Sequence, residues 1–236
     1  MSTNKKTGDI LCSSMPFASQ EAYKRLRTNV MFSYLDDGKC KVIGVSSPDV
    51  GSGKSTVAIN LAYSLAEDGK KVLLIDGDMR KPTIHEKLSL SQTPGLSNLI
   101  SGINPGKVAQ TFEENDVKFS VISAGEIPPN PSELLHSSKM EAILTKLRGM
   151  MEYIIIDLSP VFAVSDAQVI SKDTDGMLIV VRSGHCDADM LAGTLKQFEL
   201  ANAKVLGFVL NGVELTKSKK YYGTYGSYEK YGYYKK

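Results

Sequence analysis

Gly51, Gly53, Lys54 and Ser55 follow one another in a spacing suited to holding phosphate. The glycines let backbone N–H groups turn inward around phosphate oxygens, and a helix starting there adds partial positive charge. A lysine at position 54 reaches the β- and γ-phosphates of a nucleoside triphosphate, and the Ser55 hydroxyl is a ligand for Mg²⁺. Acids stand in two further places, Asp76 with Asp78, and Asp157. Each place directly follows an apolar run, 72–75 or 153–156. Open α/β sheets gather ligands at the carboxyl ends of their strands, and an acid closing such a strand is the form that positions Mg²⁺. The chemistry within reach is phosphoryl transfer from a metal-bound triphosphate.

The elements around these residues agree with that reading. Residues 42–45 read as a buried strand, and the apolar residues of 57–65 recur at helical spacing, so glycine loop and helix follow a strand in the order a phosphate-binding loop requires. The strict loop pattern asks for glycine where Pro48 stands, a departure at the entry that the flanking strand and helix offset. Gly69 is the natural stop for the helix. Further strands are expected at 72–75, 119–122, 153–157, 176–182 and 204–211, with helices over 19–32, 139–150 and 188–201. Short helices are expected at 95–100 and 108–112. Residues 127–135 read as a proline-stiffened loop entering a helix with Ser132 as its cap, and Asp166 falls in a loop that begins at Ser159 and Pro160. Alternating strands and helices predict a P-loop NTPase-like α/β fold, a mostly parallel sheet with helices on both faces. The organisation expected is a flexible lead-in over 1–17, one domain over 18–215 and a tail over 216–236.

The 236 residues, 42% apolar and 23% charged, suit one globular α/β domain. No apolar run reaches the roughly 18 residues of a membrane span, and no signal core follows the N-terminus, so the cytoplasm is the expected address. Three scattered cysteines (Cys12, Cys40, Cys186) and three scattered histidines lack metal-site spacing. Net charge is +2 overall, yet residues 216–236 hold six lysines against one acid, a segment of +5. Seven tyrosines, Tyr221, Tyr222, Tyr225, Tyr228, Tyr231, Tyr233 and Tyr234, fall within fourteen residues of that tail. With no aliphatic side chain it has no core of its own and is expected to be disordered when free. Its composition leaves three uses open: stacking on single-stranded nucleic acid, accepting phosphate, or none.

Together these motifs resemble the bacterial tyrosine kinases, in the stand-alone form that accompanies capsule or exopolysaccharide assembly. The resemblance runs from Glu21 to the terminal tyrosines and rests on residues 51–56, 74–82, 127–135 and 155–157 with the tyrosine cluster. Two departures stand out. The family's Glu-x-x-Arg-x-x-Arg oligomerisation motif is here Glu21, Lys24, Arg27, and lysine lacks the planar fork for bidentate pairing. The family's Thr-Pro-Pro, in the position after Asp157, is Leu158-Ser159-Pro160 here. Septum-site and plasmid-partition ATPases share the fold and acidic motifs, but carry a signature lysine where this chain has Asp49.

The resemblance implies an ATP- and Mg²⁺-dependent protein-tyrosine kinase that modifies its own tail tyrosines in trans. Val50, Gly51, Ser52, Gly53, Lys54, Ser55, Thr56, Arg80, Arg182 and Asn211 would bind the nucleotide, and Ser55, Asp76 and Asp157 the metal. Lys54, Asp76, Asp78 and Asp157 would be catalytic, with the proton acceptor left open between Asp76 and Asp78. Glu21, Lys24 and Arg27 would join copies into a ring that loosens to monomers once phosphorylated. Implied partners are a membrane activator of the polysaccharide co-polymerase type, which recruits the chain to the inner face of the membrane, and a cognate tyrosine phosphatase; no nucleic acid is expected. The alternatives are a partition-type ATPase with a membrane- or DNA-binding tail, and a catalytically idle scaffold gated by ATP.

Overall fold

The computed structural model describes residues 10–34, 38–103 and 106–213. Its strands are Lys41–Ser46 (β1), Val72–Asp76 (β2), Ala109–Glu114 (β3), Val117–Ile122 (β4), Tyr153–Asp157 (β5), Gly176–Arg182 (β6) and Val205–Asn211 (β7). They form one sheet in the order β3-β4-β2-β5-β1-β6-β7, parallel throughout except where β3 meets β4. The helices are Phe17–Phe32 (α1), Lys54–Glu67 (α2), Ile84–Leu88 (α3), Leu96–Ser101 (α4), Pro131–Leu135 (α5), Ser138–Arg148 (α6), Asp166–Ser171 (α7) and Ala188–Leu200 (α8).

Successive side chains of a strand point to opposite faces, and a parallel sheet buries both. The central strands divide accordingly. Ile43, Val45, Leu74 and Ile155 pack with Val57, Leu61 and Leu65 of α2 and with Val30 of α1. Their neighbours Val42, Leu73, Ile75, Ile154 and Ile156 pack on the other face with Leu96, Met140, Leu144, Ile170 and Phe198. Two cores therefore clamp the sheet. The β2/β5 register sets Asp76 opposite Asp157 at the strands' carboxyl ends.

Several expectations change. Residues 108–112 were expected as a helix, but Ala109–Glu114 is a strand paired antiparallel with β4. The deciding signal is Asn115-Asp116, whose φ values of 52° and 61° make the two-residue turn that suits a hairpin. Phe112 then stacks against Phe119 with ring centroids 5.1 Å apart, a cross-strand pair that outweighs weak helical patterning. Ser132 is not the cap of α5: Asn130 holds that position with Pro131 at the first turn, and Ser132 lies inside the helix. Asp166 opens α7 instead of lying in a loop. The lead-in expected to be flexible over 1–17 is held down in its described part. Leu11 is fully buried, and the Asn60 side chain grips both its neighbours, accepting from the Cys12 N–H and donating to the Ile10 carbonyl at 2.9 Å. No helix among the described residues is long and apolar enough to cross a membrane. The tail tyrosines, Tyr221 to Tyr234, lie outside the described residues.

Candidate active site

The loop between β1 and α2 closes over the helix start, with Gly53 at φ 89° as the residue before the first helical turn. Only glycine fits there on two counts. The backbone is left-handed, and a Cβ would come within 2.2 Å of the Asn211 side-chain nitrogen. That nitrogen donates to the Ser52 carbonyl at 2.9 Å, and Arg182 donates to the Gly51 carbonyl at 3.2 Å. Asn211 and Arg182, at the ends of β7 and β6, thus brace the loop through its backbone carbonyls. Asp49 holds the same loop from within, its carboxylate accepting the Ser52 hydroxyl at 2.7 Å.

In front of the loop lies a cavity of about 410 Å³, bordered by Val50, Gly51, Gly53, Lys54, Ser55, Thr56, Asp78, Arg80 and Ser159 among others. The Lys54 ammonium sits 2.9 Å from Asp78 Oδ2 and 3.3 Å from Asp157 Oδ1, and 3.4 Å from the Ser55 hydroxyl. Burial works against its charge, but Asp157 and Asp78 more than offset this and hold its pKa above the usual lysine value. Gly77 lets the acids converge: its N–H donates to the Asp157 carbonyl at 2.8 Å, where any Cβ would crowd that same oxygen.

The three aspartates are placed differently. Asp78 lines the cavity, with Oδ1 accepting from the Ser159 hydroxyl at 2.8 Å and the Lys81 N–H at 3.2 Å. Asp76 is fully buried. Its Oδ2 accepts from the N–H groups of Thr83 and Ile84, while its Oδ1 is buried with no hydrogen-bond partner. Burial, followed by the charge of Asp157, pushes the Asp76 carboxyl up to about 8. Asp157 is also fully buried and shifted upward, burial outweighing Lys54 and the Ser55 hydroxyl beside it.

Lys54 feels all three acids, but Arg80, Lys81 and Lys87 also border the cavity, so its wall suits a polyanion. An orphaned carboxylate oxygen beside Ser55 and Asp157 is the donor set a hard divalent cation takes, so the residues fit Mg²⁺. Among the described residues no group of three or more His, Cys, Asp or Glu is placed to hold a metal ion. Mg²⁺ commonly takes one or two carboxylates, with phosphate oxygens and water filling the rest of its shell.

Reading the sequence missed a second layer. Asp166, fully buried, accepts from Arg80 twice, Nε at 2.9 Å and Nη2 at 3.2 Å, and from the Ser132 hydroxyl. The Ser159 hydroxyl lies 3.3 Å from Asp166 as well, so this carboxylate ties α5, α7 and Arg80 to the loop that carries Ser159. Asp166 stands only nine residues beyond Asp157, but its partners Arg80 and Ser132 lie 86 and 34 residues away, so no local spacing points to it. Ser159, one of the departures from the family pattern, is the residue that touches Asp78.

Glu21, Lys24 and Arg27 lie together on α1. Lys24 pairs with Glu21 at 2.9 Å, and Arg27 donates to the Ser64 carbonyl at 2.8 Å while facing Glu67 and Asp68 at 3.7 and 3.5 Å.

A family model described as an AAA domain matches residues 40–205. Among relatives, the tyrosine-protein kinase YwqD of Bacillus subtilis is 36% identical over 210 residues, covering 89% of this chain and 87% of its own. The tyrosine-protein kinase CpsD of Streptococcus agalactiae is 34% identical over 213 residues, covering 90% of each chain. Among solved structures, the kinase domain of the Escherichia coli tyrosine kinase ETK superposes with a TM-score of 0.77 at 33% identity, covering 83% of this chain and 76% of that one.

Proposed function

The chain belongs to the bacterial tyrosine kinases of the capsule and exopolysaccharide type, and from that membership we propose that it phosphorylates the tyrosines of its own tail, Tyr221 to Tyr234, between copies. The observation that carries this reading is the meeting of Lys54 with Asp78 and Asp157 beside one cavity that opens over a glycine loop.

ATP would lie on residues 50–56 with its polyphosphate against the loop's N–H groups and the Lys54 ammonium, which neutralise charge on the moving phosphoryl group. Ser55, Asp76 and Asp157 would hold Mg²⁺. When bound, that ion draws charge from the β- and γ-phosphate oxygens. Asp78, the acid that lines the cavity, would take the phenolic proton as the tyrosine oxygen bonds to the γ-phosphorus and ADP departs. A phenol has a pKa near ~10, so the proton moves only as the new P–O bond forms. Arg80, pinned by Asp166, would face charge on the transferring group from the cavity's far rim.

Phosphate on several tyrosines would reverse the charge of a +5 segment, so a ring held through Glu21, Lys24 and Arg27 would loosen to monomers. A membrane activator of the polysaccharide co-polymerase type would recruit the chain to the inner membrane face, and a tyrosine phosphatase would reset it. The test is incubation of the full chain with ATP and Mg²⁺, with Lys54→Met as control, and phosphosite mapping by mass spectrometry. Phosphate on the tail tyrosines of the wild type alone is the expected result. ATP hydrolysis with an unmodified tail, even with activator present, would overturn the reading.

A further inference from the structure

A second cavity, about 350 Å³, opens between α4 and the 126–134 stretch, bordered by Asn98, Ile103, Glu126, Ile127, Glu133 and Leu134 among others. Its walls carry exposed apolar side chains beside acids. Ile103 and Ile127 each stand 62% exposed, and two glutamates join the border with no lysine or arginine among the lining residues. Glu126 and Glu133 are both exposed, and Glu133 has the Asn130 side-chain amide as a neighbour at 3.3 Å. Pro128 and Pro129 form part of the rim, which makes it stiff before anything binds.

The groove shares a wall with the phosphotransfer site. Within α5, Ser132 bonds Asp166 and Arg80, and the next two residues, Glu133 and Leu134, line the groove. A chain lying in the groove therefore rests on the same short helix that braces the cavity rim.

We infer that this groove docks the tyrosine- and lysine-rich segment 216–236 of a second copy while another tyrosine of that segment occupies the phosphotransfer cavity. This rests on the kinase reading above and adds a site to it. The chemistry matches on both counts. The segment's only large apolar side chains are phenols, which pack flat on isoleucine and proline while keeping the hydroxyl in water. Its +5 charge meets two glutamates. The stretch from residue 214 to the end can span up to about 75 Å when extended, long enough to place one of its tyrosines well away from another. The arrangement also senses modification. Each phosphotyrosine adds about −1.5 to −2, so about three of them cancel the segment's positive charge and remove its attraction to the groove.

The test separates docking from transfer. A fluorescent peptide of residues 216–236 is titrated by anisotropy into the full chain carrying Lys54→Met, without nucleotide. Binding that weakens at least tenfold in the added Glu126→Lys/Glu133→Lys pair, that falls steeply with salt, and that the triply phosphorylated peptide fails to compete for is the expected result. In the otherwise wild-type chain the same pair should raise KM for peptide phosphorylation about tenfold while kcat and peptide-independent ATP hydrolysis stay unchanged. The milder Glu126→Gln/Glu133→Gln pair, isosteric at exposed positions, should move KM in the same direction and guards against a folding defect. Unaltered peptide binding in both pairs, equal binding of phosphorylated peptide, or no binding at all would overturn the docking site. Normal tail phosphorylation beside any of those results would leave the kinase reading standing. Loss of tail phosphorylation with charge-sensitive peptide binding intact would instead strike the kinase reading alone.

Discussion

Ser159 gives its hydroxyl to Asp78 at 2.8 Å, so the loop following β5 sets the angle of the carboxylate that faces the phosphate cavity. The loop is itself anchored, since Ser46 donates to the Ser159 carbonyl at 2.8 Å and Val161 N–H to the Ser47 carbonyl at 2.9 Å. Its position follows that of the phosphate-binding loop.

Ser159→Ala removes that contact and leaves the Lys54 pairing in place. The expected result is a fall in kcat of about five- to thirtyfold, in line with loss of one hydrogen bond at roughly 1–2 kcal/mol. KM for ATP should stay nearly constant in steady-state kinetics. Equal kcat in variant and wild type would mean that Asp78 is oriented by Lys54 and the Lys81 N–H without help.

Asp166→Asn keeps the shape of the buried group and removes its charge. Arg80 is partly exposed and can be rewetted, so the loss of stability should be modest, about 1–3 kcal/mol by urea denaturation. Activity should suffer more than stability, because Arg80 and Ser132 lose their common anchor. Phosphotransfer measured well below the unfolding midpoint should fall at least tenfold.

The Asp76 carboxyl, at about 8, has an unfolded value near ~4. Between those values the folded chain keeps a proton that the unfolded chain has given up. Stability from this group is therefore full below about pH 4 and is lost as pH rises through about 8. The melting temperature of the nucleotide-free chain in divalent-free buffer should drop from about pH 5 to about pH 8, and Asp76→Asn should flatten the slope. Parallel slopes in the two proteins would assign the pH dependence to other groups.

Gly53→Ala places a methyl against Asn211 at a left-handed position. Nucleotide affinity by calorimetry should fall tenfold or more. The double change Gly53→Ala/Asn211→Ala relieves the clash but not the backbone strain, and should recover only part of the loss. Full recovery would show that crowding by Asn211 is the whole effect.

Much of this site is legible from the sequence, and the reason is local. Residues 42–45, 72–75, 154–156 and 176–180 are buried on both faces, so they read as unbroken apolar runs, and Asp76 and Asp157 mark the ends of two of them. The glycines of the loop and Lys54 are fixed by one short stretch. What stayed hidden depends on distant partners. Strand β3 is amphipathic and half exposed, and its identity comes from the Phe112–Phe119 pairing across a turn. Asp166 meets Arg80 and Ser132 across 86 and 34 residues of chain, and no spacing rule spans such gaps. Leu11 and Cys12 look like part of a polar leader until Asn60 of α2 is seen holding the backbone on either side of Leu11.

Helix α2 starts at the phosphate loop and ends where Arg27 of α1 grasps the Ser64 carbonyl, flanked by Glu67 and Asp68. Its fourteen residues make a rod of about 21 Å, packed along its length against the sheet. A rod whose far carbonyl is already satisfied by a cation from another helix is a poor place to fray, so the first turn, which carries Lys54 and Ser55, is backed by a helix fastened at its opposite end.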